Sequence, residues 1–136
     1  MELRDVMSRD VEIIRPDATV QAAAKRMQER NIGSVLVGVG EEFSGILTER
    51  DIMVRVVAPG HDPTSTRVQE VMTSEILWCF EDTDLMTAAN FMKDRHIRHL
   101  AVLNRDRHLV GIVSLSTLAL HTGDETLIGT AIRWPA

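Results

Sequence analysis

Asp5-Val6-Met7-Ser8 returns later in the chain as Glu70-Val71-Met72-Thr73, an offset of 65 from Val6 to Val71. At that offset Asp17 meets Asp82, Ala23-Ala24 meets Ala88-Ala89, and Met27 meets Met92. Arg30 then meets Arg95, Ile32 meets Ile97 and Val37 meets Val102. One inserted residue moves the offset to 66, where Gly45-Ile46 meets Gly111-Ile112. Register held over roughly forty residues marks a duplication. The chain reads as two repeats, 1–66 with a lead-in and linker, and 67–136 with a C-terminal tail.

Each repeat has the same coarse pattern. Val11 to Ile14 is a β-favouring run closed by Arg15-Pro16, since the residue before proline leans extended. Thr19 can cap a helix over Val20 to Arg30, whose Val20, Ala23, Ala24 and Met27 share one face. Gly33 stands where a helix-ending glycine is favoured. Strands over Ser34 to Val39 and Phe43 to Leu47 follow, then a helix from Thr48 to about Ala58, stopped by Pro59-Gly60. The second repeat predicts a strand at Ile76 to Phe80, a helix at Asp84 to His96, strands at His99 to Leu103 and Leu109 to Val113, and a helix at Ser114 to His121. Met1 to Met7 and Arg67 to Met72 read as short lead-in helices, and Gly60 to Thr66 as a linker. The order per repeat is β-α-β-β-α, a mixed α/β (α+β) class. Val35-Leu36-Val37 and Leu100-Ala101-Val102 read as strands covered on both faces. The economical arrangement packs the two units sheet to sheet about a pseudo-twofold axis. Clefts opening between such halves are where small ligands sit.

Composition narrows the function classes. The 136 residues are 44% hydrophobic and 26% charged, enough chain for a core without staples. A single cysteine, Cys79, leaves no internal disulfide framework and no cysteine-based zinc site. Apolar runs such as Ser34 to Val39 are far too short for a bilayer span, so no membrane role is expected. The start, Met1-Glu2-Leu3-Arg4-Asp5, has acids and no apolar core of a signal peptide, and a cytoplasmic location is the expectation. A formal charge of −5 argues against binding nucleic acid or anionic lipid. Two Trp, three Phe and no Tyr make a poor stacking platform for single strands.

The chemistry concentrates in Gly45-Ile46-Leu47-Thr48-Glu49-Arg50-Asp51. A strand ends, a hydroxyl residue takes the helix N-cap, and an acid stands three residues on. One account is local: Thr48 satisfies orphan amides and Asp51 favours the positive helix end. The other uses the same geometry for a ligand. Helix-start amides attract a phosphate, Thr48 and Arg50 add donors, and the Asp51 carboxylate can accept two ribose hydroxyls. On the pattern alone the capping account is favoured, since hydroxyl-x-x-acid is a common helix start.

With the duplication, this segment resembles a pair of cystathionine-β-synthase-type (CBS) domains from about Leu3 to Gly123. The resemblance is carried by the Asp5-Val6-Met7 and Glu70-Val71-Met72 openings and the β-α-β-β-α order. Ile97-Arg98-His99-Leu100-Ala101-Val102 and the two Gly-Ile-x-Thr/Ser segments carry it too. It implies a regulatory, non-enzymatic module that binds an adenosine nucleotide of the AMP, ADP or ATP class between its units, commonly as a homodimer. Carried over, Ile46, Thr48, Glu49, Arg50 and Asp51 form one wall of a ligand site, with Asp51 on the ribose and Thr48 and Arg50 near phosphate. Arg98 and His99 face the phosphates from the second unit, and Leu77 lines the adenine. If His99 does so, binding should strengthen below about pH 6.5. The other cleft would comprise Ile13, Ser34, Ser114, Ser116 and Thr117, with Thr117 in place of the acid and Gly33-Ser34 in place of the basic pair. A hydroxyl accepts more weakly than a carboxylate, so this cleft is expected to be degenerate.

Other features have plainer readings. His96, His99, His108 and His121 lack the companions of a metal site, so no metal is expected. Cys79 sits between Trp78 and Phe80 as an inert thiol. Met7, Met27, Met72, Met86 and Met92 fall on apolar helix faces, and Trp78 is a core filler or a flank of the base pocket. The tail from Glu125, with Leu127, Ile128, Ile132 and Trp134, is apolar enough to dock on its own module or a dimer partner. No nucleophile with an orienting base is present, which makes an enzyme the weakest of three functions. A nucleotide sensor acting on an unidentified regulated protein competes with a ligand-independent scaffold. The pair Arg98 and His99 favours a phosphorylated nucleotide over cationic S-adenosylmethionine. Whether Mg²⁺ accompanies it is open.

Overall fold

The computed structural model describes residues 1–133, with side chains through residue 130. The described residues form two compact units, one from Glu12–Ile76 and one joining Met1–Val11 to 77–133. Compactness therefore divides the chain differently from the halves 1–66 and 67–136.

The first unit contains β1 (Ile13–Ile14), α1 (Val20–Arg30), β2 (Ser34–Val39) and β3 (Glu42–Thr48). Then come α2 (Glu49–Ile52), which continues into a π-helical stretch at Met53–Val57, and α3 (Val68–Val71). The sheet order is β1-β2-β3, parallel then antiparallel. The second unit repeats the plan with β4 (Trp78–Phe80), α4 (Leu85–Arg95), β5 (His99–Leu103), β6 (Leu109–Ser114) and α5 (Leu115–Thr122). It adds a 3₁₀ turn at Leu3–Asp5 and a final helix, α6 (Glu125–Arg133). Its sheet order is β4-β5-β6 with the same parallel and antiparallel pairings.

Helix α1 starts where its cap requires. The Thr19 side chain accepts from the Ala22 amide at 3.1 Å, and Val20, Ala23 and Met27 are buried. Its end corrects the sequence reading. Asn31, not Gly33, takes the left-handed position with φ 53°, and His96 does the same after α4 with φ 54°. Asn tolerates that conformation through its short polar side chain.

In the first unit Val35, Val37 and Leu47 pack with Val20, Ala23, Met27, Val56, Val68 and Val71. Alternation along the strands turns Leu36 and its cross-strand partner Ile46 to the opposite face, where both are also buried. The second unit buries Leu100, Val102, Val113, Leu85, Ala88, Ala89, Met92, Leu115 and Leu118.

The lead-in segments are exchanged between repeats. Leu3 and Met7 belong to the core of the second repeat, whereas Val68 and Val71 belong to that of the first. Backbone pairing fixes the exchange. Ser8 and Ile112 trade two hydrogen bonds (2.9 and 3.0 Å), and Thr73 and Ile46 trade two at 2.9 Å. The repeated glycines Gly45 and Gly111 lie under these crossings. A Cβ on Gly45 would meet the Thr73 carbonyl oxygen at 2.4 Å, and one on Gly111 would meet Met7 Sδ at 2.6 Å.

The tail docks as a helix on its own unit: Leu127 is buried in the second core and Ile128 packs against it. The side chain of Ile132 and all of Trp134 lie outside the described residues. Leu127→Ala is expected to cost about 2–4 kcal/mol through the cavity it leaves, as measured by urea unfolding. A loss below about 0.5 kcal/mol would mean that α6 adds little to the fold.

Candidate functional site

The centre of the site is the junction of β3 and α2. Thr48 is the N-cap, with extended backbone (φ −109°, ψ 162°), and its hydroxyl accepts from the Asp51 amide at 3.1 Å. In return Asp51 Oδ2 accepts from the Thr48 amide at 3.0 Å, which completes a capping box. Both residues are only 6% exposed. The local capping account of this segment is thus a structural fact, and the ligand account has to use what capacity remains.

Asp51 has a second partner that the sequence reading did not assign. The Thr73 hydroxyl donates to Oδ1 from 3.3 Å and to Oδ2 from 3.4 Å. Its only sequence signal was its place as the last residue of the repeated Glu70-Val71-Met72-Thr73. Arg55 was missed as well. One turn beyond Asp51, its Nη1 donates to the carbonyls of Val71 and Met72, both at 3.0 Å. A guanidinium at the carbonyl end of α3 is favourable there, and it fixes the segment that carries Thr73.

The remaining first-unit residues fall around this junction. The Glu49 amide donates to the Gly33 carbonyl at 3.0 Å, and Ser34 pairs in register with Thr48. Ile46 is buried in β3, Arg50 is half-buried on the first turn of α2, and Ile13 is exposed on the short edge strand β1.

In the second unit Ser114 caps α5 and accepts from the Thr117 amide at 3.1 Å. Here the box is incomplete. Thr117 turns its hydroxyl to the Ser114 hydroxyl at 2.9 Å, so the two polar groups satisfy each other. Arg98 Nη2 donates to Ser116 Oγ at 3.2 Å, and the Arg98 carbonyl accepts from the Leu115 amide at 2.8 Å. His99 opens β5 in register with Ser114, and half-buried Leu77 packs against the core. Each unit thus contains one part of each expected ligand set: Asp51 shares a unit with Ile13 and Ser34, and Thr117 with Leu77, Arg98 and His99.

Other candidates resolve simply. Cys79 is half-buried in β4, and burial pushes its thiol upward, away from the reactive thiolate. Trp78 and Phe80 meet edge to face at 5.0 Å, with Arg107 and Arg105 over their rings. Among the described residues no group of three or more His, Cys, Asp or Glu is placed to hold a metal. No helix among them is long and apolar enough to cross a membrane.

Comparison with known proteins agrees with this architecture. The CBS domain family model matches residues 3–58 and 68–121. The chain is 34% identical to the CBS domain-containing protein YhcV of Bacillus subtilis, over 96% of this chain and 91% of that one. It is 29% identical to hypoxic response protein 1 of Mycobacterium tuberculosis, over 92% and 87%. A structure of that response protein, described with two coordinated zinc ions, superposes with a TM-score of 0.69 at 30% identity, covering 89% and 98% of the two chains. A hexameric CBS-CP12 protein from bloom-forming cyanobacteria gives a TM-score of 0.79 at 31% identity, covering 88% of this chain and 66% of that one. A conserved CBS domain protein from Thermoplasma acidophilum shares the fold, with a TM-score of 0.83 at 23% identity over 97% and 74%. With two family matches on two β-α-β-β-α units of the same internal design, the chain belongs to the CBS domain family.

Proposed function

We propose that the chain is a regulatory module that senses an adenosine nucleotide, AMP, ADP or ATP, through the Thr48–Asp51 junction. In this reading Asp51 takes the ribose hydroxyls and Thr48 and Arg50 lie near phosphate. Ile46 and Glu49 complete this wall, and the family resemblance assigns Arg98, His99 and Leu77 to the same ligand. The observation that supports it is the difference between the repeats. At equivalent helix starts one repeat holds a buried carboxylate with two oxygens, and the other a hydroxyl already bonded to its own cap. A carboxylate accepts several hydrogen bonds at once and more strongly than a hydroxyl, and the Ser114–Thr117 pair carries no charge and already commits one hydroxyl proton to its own contact. One competent site per chain follows, with Ile13, Ser34, Ser114, Ser116 and Thr117 left as the degenerate counterpart.

A module of this kind needs no catalytic residues and acts by altering a partner, so the proposal includes no reaction. It includes a homodimer in the cytoplasm and an unidentified regulated protein. Large apolar side chains exposed on the corresponding helices of the two repeats support self-association: Met53, Val54 and Val57 after α2, and Leu120 on α5. A ligand-independent scaffold is the competing reading, supported by the completed capping box. Thermal-shift measurements with AMP, ADP and ATP separate the two. At about 100 times its dissociation constant a bound nucleotide adds about 2.7 kcal/mol and a shift of several degrees. An unmoved transition at millimolar concentrations of all three would leave the scaffold.

A further inference from the structure

We propose that the Thr73 hydroxyl is a built-in competitor for the Asp51 carboxylate, and that it sets the threshold selecting ligands with two adjacent hydroxyls. The inference rests on the nucleotide reading of the same carboxylate. At 6% exposure Asp51 requires donors, and the Thr48 amide supplies one at 3.0 Å. The Thr73 hydroxyl supplies another, placed almost evenly between the two oxygens at 3.3 and 3.4 Å. These are long contacts for a hydroxyl on a carboxylate, whose strong bonds run about 2.5–2.7 Å. One proton shared at such distances is easily displaced.

Three observations make displacement the natural response. Thr73 is exposed whereas Thr48 and Asp51 are buried, so it is the outermost of the three groups. Its backbone is fixed by two 2.9 Å bonds to Ile46, so yielding needs one side-chain rotation and no chain movement. Arg55, through the Val71 and Met72 carbonyls, holds the same segment in place, so the hydroxyl returns to the carboxylate when the site empties. A ligand with one hydroxyl exchanges one donor for another and gains little. A vicinal diol brings two donors for the one it removes.

The test is calorimetric titration of the full chain with ATP and with 2′-deoxy-ATP, using wild type, Thr73→Val, Thr73→Ala and Thr73→Ser. Thr73→Val keeps the branched shape and β preference of the native residue. It is expected to bind ATP about fivefold more tightly, the equivalent of removing one ordinary competing hydrogen bond. 2′-Deoxy-ATP displaces the same hydroxyl and should gain by about the same factor, which lifts a ligand with one hydroxyl above the threshold that holds it back in wild type. Thr73→Ala should move in the same direction, and Thr73→Ser, which keeps the donor, should follow wild type. Unchanged or weaker ATP binding by both Thr73→Val and Thr73→Ala, with wild type still binding, overturns the competitor role and leaves the nucleotide reading standing. No ATP binding by wild type or any variant overturns the nucleotide reading, and the competitor with it.

Discussion

Asp51→Ala is expected to abolish adenosine-nucleotide binding and to destabilise the first repeat at the same time. The two effects have separate causes. For binding, the carboxylate is the proposed acceptor for both ribose hydroxyls. Each hydrogen bond to a charged group contributes about 1.5–3 kcal/mol, so losing two weakens affinity by a factor of 100 or more. For stability, the variant removes the return half of the capping box and leaves the buried Thr48 amide without its 3.0 Å acceptor. The Thr48 hydroxyl still caps the backbone amide at position 51, so the cost is that of the orphaned buried donor, an expected loss of about 1–3 kcal/mol in urea unfolding. Asp51→Asn separates the causes. Its amide oxygen can still accept from Thr48, so most stability should return, while binding stays at least tenfold weak because a neutral acceptor replaces the carboxylate. Asp51→Ala that destabilises but binds nucleotide normally would reduce Asp51 to a helix cap.

Gly45→Ala is expected to be the most damaging small substitution in either lead-in crossing. The added Cβ would lie 2.4 Å from the Thr73 carbonyl oxygen and 3.3 Å from Ser74 Cα, both backbone atoms with no rotamer to retreat into. The clash also breaks the paired 2.9 Å bonds between Ile46 and Thr73, and with them the position of the Thr73 hydroxyl. A loss of about 3 kcal/mol or more in chemical denaturation is the expected outcome, at the upper end of what overpacking costs. Gly111→Ala at the equivalent place should cost less. Its closest neighbours are Met7 Sδ at 2.6 Å and Cγ at 2.9 Å, the adaptable end of a methionine, although the Ser8 carbonyl at 2.9 Å still resists. If Gly111→Ala proved as costly as Gly45→Ala, Met7 would have to be held as rigidly as a backbone.

Most of the fold was legible because the sequence presents each element twice. The caps at Thr19 and Thr48, the apolar face of α1 and the buried run Val35-Leu36-Val37 all follow from local chemistry. The exchange of lead-ins was not legible. Leu3 and Met7 carry the same apolar signal whichever repeat they enter, and only packing decides between two similar cores. The residue that ends α1 was misread for a related reason: Gly33 is the stronger propensity signal, yet Asn31 stands one residue past the last helical position and tolerates the turn. At the candidate site the sequence showed Thr48 and Asp51, because a hydroxyl and an acid three residues apart are a local pattern. It did not show Thr73 or Arg55 as partners. Twenty-two residues separate Asp51 from Thr73, and their meeting depends on the long-range pairing of Ile46 with the second lead-in.

The proposed function predicts one competent nucleotide site per chain, the one that uses Asp51, and none at its Thr117 counterpart. Isothermal titration calorimetry of the 136-residue chain with ATP, ADP and AMP tests it directly. The expected result is one molecule bound per chain for at least one of the three, with the heat lost in Asp51→Ala and retained in Thr117→Ala. Two equal sites per chain, binding that survives Asp51→Ala, or no binding of any of the three would contradict it.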